Sequence, residues 1–179
     1  PYAFLALVMV MIFIAGFFID FIQITYIIVP VVGWATTYFP IVQNGFVINF
    51  VDVDPNTWNI NVKKIEEAIT PNTCAIMPVN LLGNSCEYAK IIELCREHNL
   101  LLIEDNCESM GAKYHDSYTG TIGLAGSFSF FFSHHIQTME GGMVLCKNKD
   151  DADYMRSMRA HGWVRDLPDN SSLYQKTGN

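Results

Sequence analysis

Short apolar segments alternate with helical patterns along most of this chain, and that alternation restricts the fold more than any single motif does. Apolar runs at 46–54, 74–79 and 100–104 have the length and composition of buried strands. Between them, residues 61–69 have a short helical pattern, and residues 86–98 place apolar side chains three and four positions apart, as an amphipathic helix does. Strands and helices in this order predict an α/β domain with a mostly parallel sheet.

The same pattern continues in the second half of the chain. The segments SFSFFF at 127–132 and GMVLC at 142–146 predict two more strands. Asp150 has a helix-capping side chain, and the helix that it is expected to begin would turn Met155 and Met158 toward the core. No repeat or low-complexity linker interrupts these elements, so they are expected to share one domain.

Three polar residues follow predicted strands and suggest where a ligand would bind. In open α/β sheets, ligands gather beyond the carboxyl ends of the strands. Asn80, Asp105 and His134 each come after such an end. A carboxylate at a buried strand end needs a partner because an isolated buried charge is costly. Asp105 could therefore pair with a ligand, or it could simply cap the next turn.

The adjacent His134 and His135 raise the question of a metal site. Neighbouring side chains point to opposite sides of a strand, or about 100° apart on a helix, so the two imidazoles cannot easily share one ion. A zinc-binding helix would instead separate them by four positions. No metal site is predicted, and without further context one histidine would be a satisfied loop residue and the other an exposed one.

The first 25 residues form an atypical apolar segment. Residues 2–19 carry no charge and meet the length requirement for a membrane span. No Lys or Arg precedes Lys63, so the positive flank that orients a span or marks a signal peptide is missing. Membrane insertion is therefore disfavoured, and the alternatives are a buried segment or a stretch that is not native to the fold.

Charge and cysteine content exclude several classes of protein. The formal net charge is −7 and the pI is about 5.1, whereas a nucleic-acid-binding protein would need a basic stripe. The five cysteines are scattered and odd in number, so they indicate neither a disulfide framework nor a paired zinc motif. This composition favours a reducing cytoplasm.

Five motifs in a fixed order carry a resemblance to a known family. They are VDVDPNTWNI, EEAITPNTCAIMPVNLLGN, LLIEDNCESMGA, GSFSFFFSHHIQTMEGGMV and RAHGW. Together they resemble the DegT/DnrJ/EryC1/StrS family of sugar aminotransferases, which depend on pyridoxal 5′-phosphate and have fold type I. The resemblance covers roughly residues 26–168. It implies that residues 26–179 form part of a three-layer large domain, that the C-terminal small domain is absent from this fragment, and that the full-length protein is a homodimer.

The resemblance also implies roles for particular residues. Asp105 would pair with the pyridine nitrogen of the cofactor, Ser129 would bind its phosphate, and Trp34 would stack on its ring. Glu108 falls where the family has Gln or Glu close to the reactive edge of the cofactor, and a catalytic role is expected for it.

His134 marks a departure from the aminotransferase pattern. Aminotransferases of the family have a lysine at this position that binds the cofactor covalently, whereas this chain has a histidine. The substitution resembles a subgroup of sugar 3-dehydratases, in which pyridoxamine 5′-phosphate reacts with a 4-keto nucleotide sugar and glutamate restores the amine. A histidine can act there as the catalytic base near neutral pH. A sugar aminotransferase and a non-catalytic homologue are the alternatives.

Two types of dehydratase share this histidine, and cysteine content distinguishes them. The iron-sulfur type has a cysteine that matches Cys107 and three more downstream. The downstream segment HGWVRDLPDNSSLYQKTGN contains none, and one thiolate cannot hold a cluster that needs four. The chain therefore resembles the cluster-free type, which acts on GDP-4-keto-6-deoxymannose on the route to a 3,6-dideoxy sugar of lipopolysaccharide.

Overall fold

The apolar segments form a six-stranded sheet within residues 24–173, which are the residues that the computed structural model describes. The six strands are β1 (Tyr26–Pro30), β2 (Val47–Val51), β3 (Thr73–Ile76), β4 (Leu101–Asp105), β7 (Ala125–Ser129) and β8 (Gly142–Cys146). The strand order is β2-β1-β3-β4-β7-β8, and every pair is parallel except β7 with β8. A small hairpin, β5 (Lys113–Tyr114) with β6 (Ser117–Tyr118), lies apart from this sheet.

Helices cover both faces of the sheet, which explains why its central strands are apolar on both sides. The helices are α1 (Ala35–Gln43), α2 (Val62–Ala68), α3 (Tyr88–Glu97) and α4 (Lys149–Arg159). In β1, Ile28 packs in one cluster with Ile65 of α2 and Ile91 of α3. Its neighbours Ile27 and Val29 point to the opposite face and pack with Ile41 of α1. The predicted three-layer architecture with a mostly parallel sheet is confirmed.

The predicted helix at 150 differs in two respects from the observed α4. Its cap is Asn148, whose side chain accepts a hydrogen bond from the backbone N–H of Asp151 at 2.8 Å, so the cap assigned to Asp150 was wrong. Met155 and Met158 are exposed, and the buried face of α4 carries Asp153 and Ser157 instead. The buried carboxylate of Asp153 is stable there because it forms ion pairs with both Lys149 and Arg156.

The apolar segment at 2–19 lies outside the described residues. Between residues 24 and 173, no helix is both long enough and apolar enough to cross a membrane.

Candidate active site

Two strands that are neighbours in the sheet bring Asp105 and Ser129 to the same edge. Asp105 is the last residue of β4, and it is in register with Ser127 of the parallel β7. Ser129 ends β7 two residues later, so its side chain leaves the same face of the sheet as that of Ser127. The site thus begins where parallel strands end, as the strand-end prediction required.

Asp105 is a buried carboxylate with unused accepting capacity. It is only 3% exposed, and its Oδ2 accepts a hydrogen bond from the Thr37 hydroxyl at 2.7 Å. Its Oδ1 accepts one from the backbone N–H of Cys107 at 3.0 Å. Among the ion pairs of residues 24–173, none involves Asp105. Because a carboxylate offers about four acceptor positions, a cationic N–H could still bind there.

The negative charge of Asp105 raises the pKa of neighbouring side chains. Burial and then the Asp105 carboxylate raise the pKa of the Cys107 thiol to about 12, so this thiol is protonated at neutral pH. Burial and the same carboxylate also raise the pKa of Tyr38. All five cysteines are free. Within residues 24–173, no cluster of His, Cys, Asp and Glu side chains could hold a metal ion.

Trp34 is connected to Asp105 through the first turn of α1. It precedes that helix at the carboxyl end of β1, and its carbonyl accepts a hydrogen bond from the backbone N–H of Thr37 at 3.0 Å. The hydroxyl of Thr37 then contacts Asp105. Trp34 is 72% exposed, so its indole ring is available for stacking on a planar ligand.

Ser129 keeps a hydroxyl proton available at the end of β7. Its Oγ accepts a hydrogen bond from the backbone N–H of Phe131 at 3.2 Å. The hydroxyl is partly buried and can still donate to an anionic oxygen.

A cavity of about 500 Å³ brings His134 and Glu108 together. It is lined by Leu82, Gly83, Glu108, Ser109, Met110, Ala112, Ser133, His134 and His135. Trp34, Asp105 and Ser129 are not among these lining residues. The five predicted site residues therefore fall into two groups, one at the strand ends and one around this cavity.

The two histidines differ in their contacts. His134 is partly buried, and its ring lies edge-on to Phe131 with 6.4 Å between ring centroids. The exposed His135 donates from Nε2 to the carbonyl oxygen of Met110 at 3.1 Å. His135 thus ties its loop to the segment after β4.

Glu108 contacts another residue of the cavity lining, Leu82. Its Oε2 accepts a hydrogen bond from the backbone N–H of Leu82 at 2.9 Å. Leu82 belongs to a short 3-10 turn, Leu81–Gly83, that follows β3. The carboxylate therefore joins the loop after β4 to the loop after β3.

Asn80 follows β3 as predicted, but its side chain is directed into the protein. It is fully buried, and its Nδ2 donates to the Tyr88 hydroxyl at 2.7 Å and to Oδ1 of Asn106 at 2.8 Å. Its Oδ1 accepts from the backbone N–H of Cys86 at 2.9 Å. Asn80 therefore links buried residues next to the site and does not line the cavity.

Sequence reasoning missed two residues that shape the site. Thr37 holds Asp105 across 68 positions of sequence, and no periodicity indicates such a contact. Glu104 is fully buried and accepts backbone hydrogen bonds from Gly120, Ile122 and Gly123 at 2.6 to 2.7 Å. The one feature of the sequence that could have indicated Glu104 is that an acidic residue lies inside a predicted buried strand.

These residues fit a phosphorylated pyridine cofactor. A buried carboxylate without a cationic partner suits a pyridinium nitrogen, and an exposed indole suits the ring. A hydroxyl at a neighbouring strand end suits the phosphate. Within the described part of the chain, residues 24–173, no lysine lines the cavity with His134.

The sequence profile of the DegT/DnrJ/EryC1/StrS aminotransferase family matches residues 6–178. The GDP-4-keto-6-deoxy-D-mannose 3-dehydratase of Escherichia coli is 48% identical over 142 residues, which cover 79% of this chain and 37% of that protein. A GDP-4-keto-6-deoxymannose-3-dehydratase structure with a trapped PLP-glutamate geminal diamine has a TM-score of 0.80 and 45% identity, covering 84% of this chain and 39% of the other.

A second solved structure is similarly close. The E. coli GDP-4-keto-6-deoxy-D-mannose-3-dehydratase with bound hydrated PLP has a TM-score of 0.79 and 41% identity, covering 87% of this chain and 42% of the other. The chain therefore spans about two fifths of the length of these relatives.

Proposed function

The chain belongs to the DegT/DnrJ/EryC1/StrS aminotransferase family, and on that basis we propose that the whole protein removes the C3 hydroxyl from a 4-keto-6-deoxy nucleotide sugar. One observation carries this proposal. His134 lines a cavity with Glu108, and none of the lysines between residues 24 and 173 lines it. A sugar aminotransferase would need a lysine amine at that place. Relatives named as 3-dehydratases support the same assignment.

Three residues are proposed to hold the cofactor. Asp105 would accept a hydrogen bond from the pyridine nitrogen, Ser129 would donate to the phosphate, and Trp34 would cover one face of the ring. When bound, pyridoxamine 5′-phosphate supplies an amine for the 4-keto group and a sink for electrons. Thr37 contributes by fixing the carboxylate of Asp105.

His134 is the proposed catalytic base and acid. Its imidazole can accept a proton and give it to the oxygen of the C3 hydroxyl, which then leaves as water. Glu108 is proposed to act in the same cavity, and its Oε2 contact to Leu82 fixes its orientation. Both side chains come from loops that leave neighbouring strands, β4 and β7.

We further propose the partners and setting of the reaction. A relative trapped with a PLP-glutamate adduct supports glutamate as the amino donor, and relatives that act on GDP sugars support a GDP carrier. The product would be a 3,6-dideoxy sugar for lipopolysaccharide, made in the cytoplasm by a homodimer. No iron-sulfur cluster, nucleic acid or membrane is proposed as a partner.

Replacement of His134 by Asn in the whole protein tests the proposal. Because a positioned acid or base contributes about 10²- to 10⁴-fold, dehydration should fall by at least about 10²-fold. Bound cofactor, followed by its near-ultraviolet absorbance, should be retained. His115→Asn is the matched control, since His115 is exposed, lies outside the cavity and has a positive φ that asparagine tolerates. Undiminished oxygen loss from the sugar nucleotide, measured by mass spectrometry, would reject the role of His134.

A second measurement separates the alternatives. Borohydride reduction in the presence of pyridoxal 5′-phosphate should give no phosphopyridoxyl-lysine peptide. Such a peptide would favour the aminotransferase, whereas a protein that shows no cofactor absorbance would favour a non-catalytic homologue.

A further inference from the structure

Leu82 has an unusual backbone conformation and an unusually exposed side chain. Its φ is +52°, in the left-handed region that residues other than glycine seldom adopt. Its side chain is 81% exposed and lines the cavity that contains His134. A strained backbone persists only where its surroundings enforce it, and such residues concentrate at functional sites.

Specific contacts enforce this conformation. Oε2 of Glu108 accepts the hydrogen bond from the Leu82 backbone N–H at 2.9 Å. The turn is closed by the backbone N–H of Asn84, which donates to the carbonyl of Leu81 at 2.9 Å. Gly83 follows with φ +82°, a conformation that suits glycine. The leucine is therefore held in the cavity wall by a charged residue of the same cavity.

The chemistry of the cavity makes Leu82 distinctive. Carboxylate, hydroxyl and imidazole groups of Glu108, Ser109, Ser133, His134 and His135 make up about half of the lining. The apolar side chains of the lining are Leu82, Met110 and Ala112. Of these, Leu82 has the largest exposed fraction, whereas Met110 is 37% exposed. Among the apolar side chains of the cavity, Leu82 is thus the one most accessible to a ligand.

We propose that Leu82 selects a 6-deoxy sugar by packing against its C6 methyl group. This inference rests on the proposed function, because it takes a 4-keto-6-deoxy sugar as the substrate. Carbonyl and hydroxyl oxygens surround the ring of such a sugar, and its C6 methyl is its one apolar substituent. A C6 hydroxyl would lose its water against Leu82 without gaining a hydrogen bond. Leu82 therefore favours the methyl group and disfavours the hydroxymethyl group.

Binding of two stable sugar nucleotides to the whole protein with cofactor tests this role. GDP-rhamnose and GDP-mannose of the same D configuration differ only at C6, where one carries a methyl and the other a hydroxymethyl group. The wild-type protein should bind GDP-rhamnose about tenfold more tightly by calorimetry, the scale expected for one small group in an apolar contact. In Leu82→Asn this preference should vanish, because the side chain keeps its size but becomes polar.

The choice of variants keeps the result interpretable. Asparagine tolerates positive φ better than leucine does, so Leu82→Asn should fold at least as stably as the wild type. Leu82→Ala should also lose the preference. Met139→Ala is the matched control, since Met139 is 78% exposed with φ +69° but does not line the cavity. It should keep the wild-type preference.

The outcomes separate this inference from the proposed function. Loss of the preference in both Leu82 variants, with the Met139 control unchanged, supports the selection role. An unchanged preference in Leu82→Asn, or no preference in the wild type, overturns it even when the wild-type protein dehydrates its substrate. Absence of dehydration by the wild type would instead reject the proposed function.

Discussion

The Glu108 carboxylate holds a backbone turn and also faces the proposed reaction. Its Oε2 accepts a hydrogen bond from the Leu82 backbone N–H at 2.9 Å. Glutamine offers a carbonyl oxygen at the same place, whereas alanine offers no acceptor. A positioning role therefore predicts that Glu108→Gln keeps kcat/KM within about threefold of the wild type. Glu108→Ala should lose about tenfold or more, the scale of one hydrogen bond to a charged group.

Steady-state kinetics of the whole protein distinguishes this role from proton transfer. A residue that carries a proton in the reaction loses its function equally in the glutamine and alanine variants. Equal losses of kcat in both, with KM unchanged, would therefore contradict the positioning role and favour the catalytic role expected from the family resemblance.

At the residue scale, the sequence indicated the candidate site residues but not the contacts that hold them. Asp105, Glu108 and His134 were recognisable because they stand in ordered motifs. Thr37 and Leu82 were not, because a hydrogen bond across 68 positions and a positive φ at leucine leave no local pattern. Such contacts arise only when separate loops meet at one edge of the sheet.

Helix α4 depends on a buried carboxylate, and this dependence predicts a pH effect. Hydrogen bonds from Lys149 at 2.8 Å and from Arg156 at 2.9 Å hold the pKa of Asp153 below its usual range. A lowered folded-state pKa contributes stability above the unfolded value of about 3.9, and this contribution is lost as the pH falls further. Asp153→Asn should therefore lower the melting temperature most at neutral pH.

Melting curves from pH 7 down to pH 3 check this expectation. The wild type and Asp153→Asn should converge at the acid end, because the wild-type carboxyl is then becoming neutral too. Asp116→Asn is the control, as Asp116 is exposed in the hairpin turn and forms none of the ion pairs found in residues 24–173. A difference between the wild type and Asp153→Asn that is constant across this range would show that the charge of Asp153 does not stabilise α4.

At the element scale, the spacing of apolar residues predicted a helix correctly where that helix packs one apolar face against the sheet. The helix predicted at 86–98 is observed as Tyr88–Glu97, with Tyr88 and Ile91 fully buried. Helix α1 escaped prediction because Pro40 interrupts it and few of its residues are buried. The strand predicted at 127–132 is observed as Ala125–Ser129, since the chain turns toward the His134 loop after Ser129.

At the scale of the whole molecule, the order of elements was sufficient to predict the layers. Parallel strands require crossover connections, and the observed crossovers cover both faces of the sheet. The reversal of β8 was not predicted, because GMVLC would suit either direction. The sequence also did not indicate which outer surfaces remain apolar, since that depends on how α1 packs against the sheet.

An exposed apolar surface on α1 and β2 supports the proposed homodimer and provides a way to test it. Phe39 of α1 is 61% exposed, and Val42 and the edge-strand residue Phe50 are exposed on the same part of the sheet. We propose a second copy of the chain as the cover, because the family resemblance implies a homodimer. Phe39→Glu should therefore shift the whole protein from dimer to monomer in sedimentation velocity, since an interfacial charge would be buried without a partner.

Met158→Glu provides the comparison on the opposite part of the chain. Met158 of α4 is 57% exposed, so an added charge there meets water in the monomer and should leave the dimer intact. Dissociation by Met158→Glu but not by Phe39→Glu would move the interface to α4, and a monomeric wild-type protein would reject the dimer itself. The family resemblance also implies that each site takes residues from the second copy, so the monomeric Phe39→Glu variant should lose dehydration while its circular dichroism spectrum stays that of a folded protein. That combination would make the second copy part of the active site.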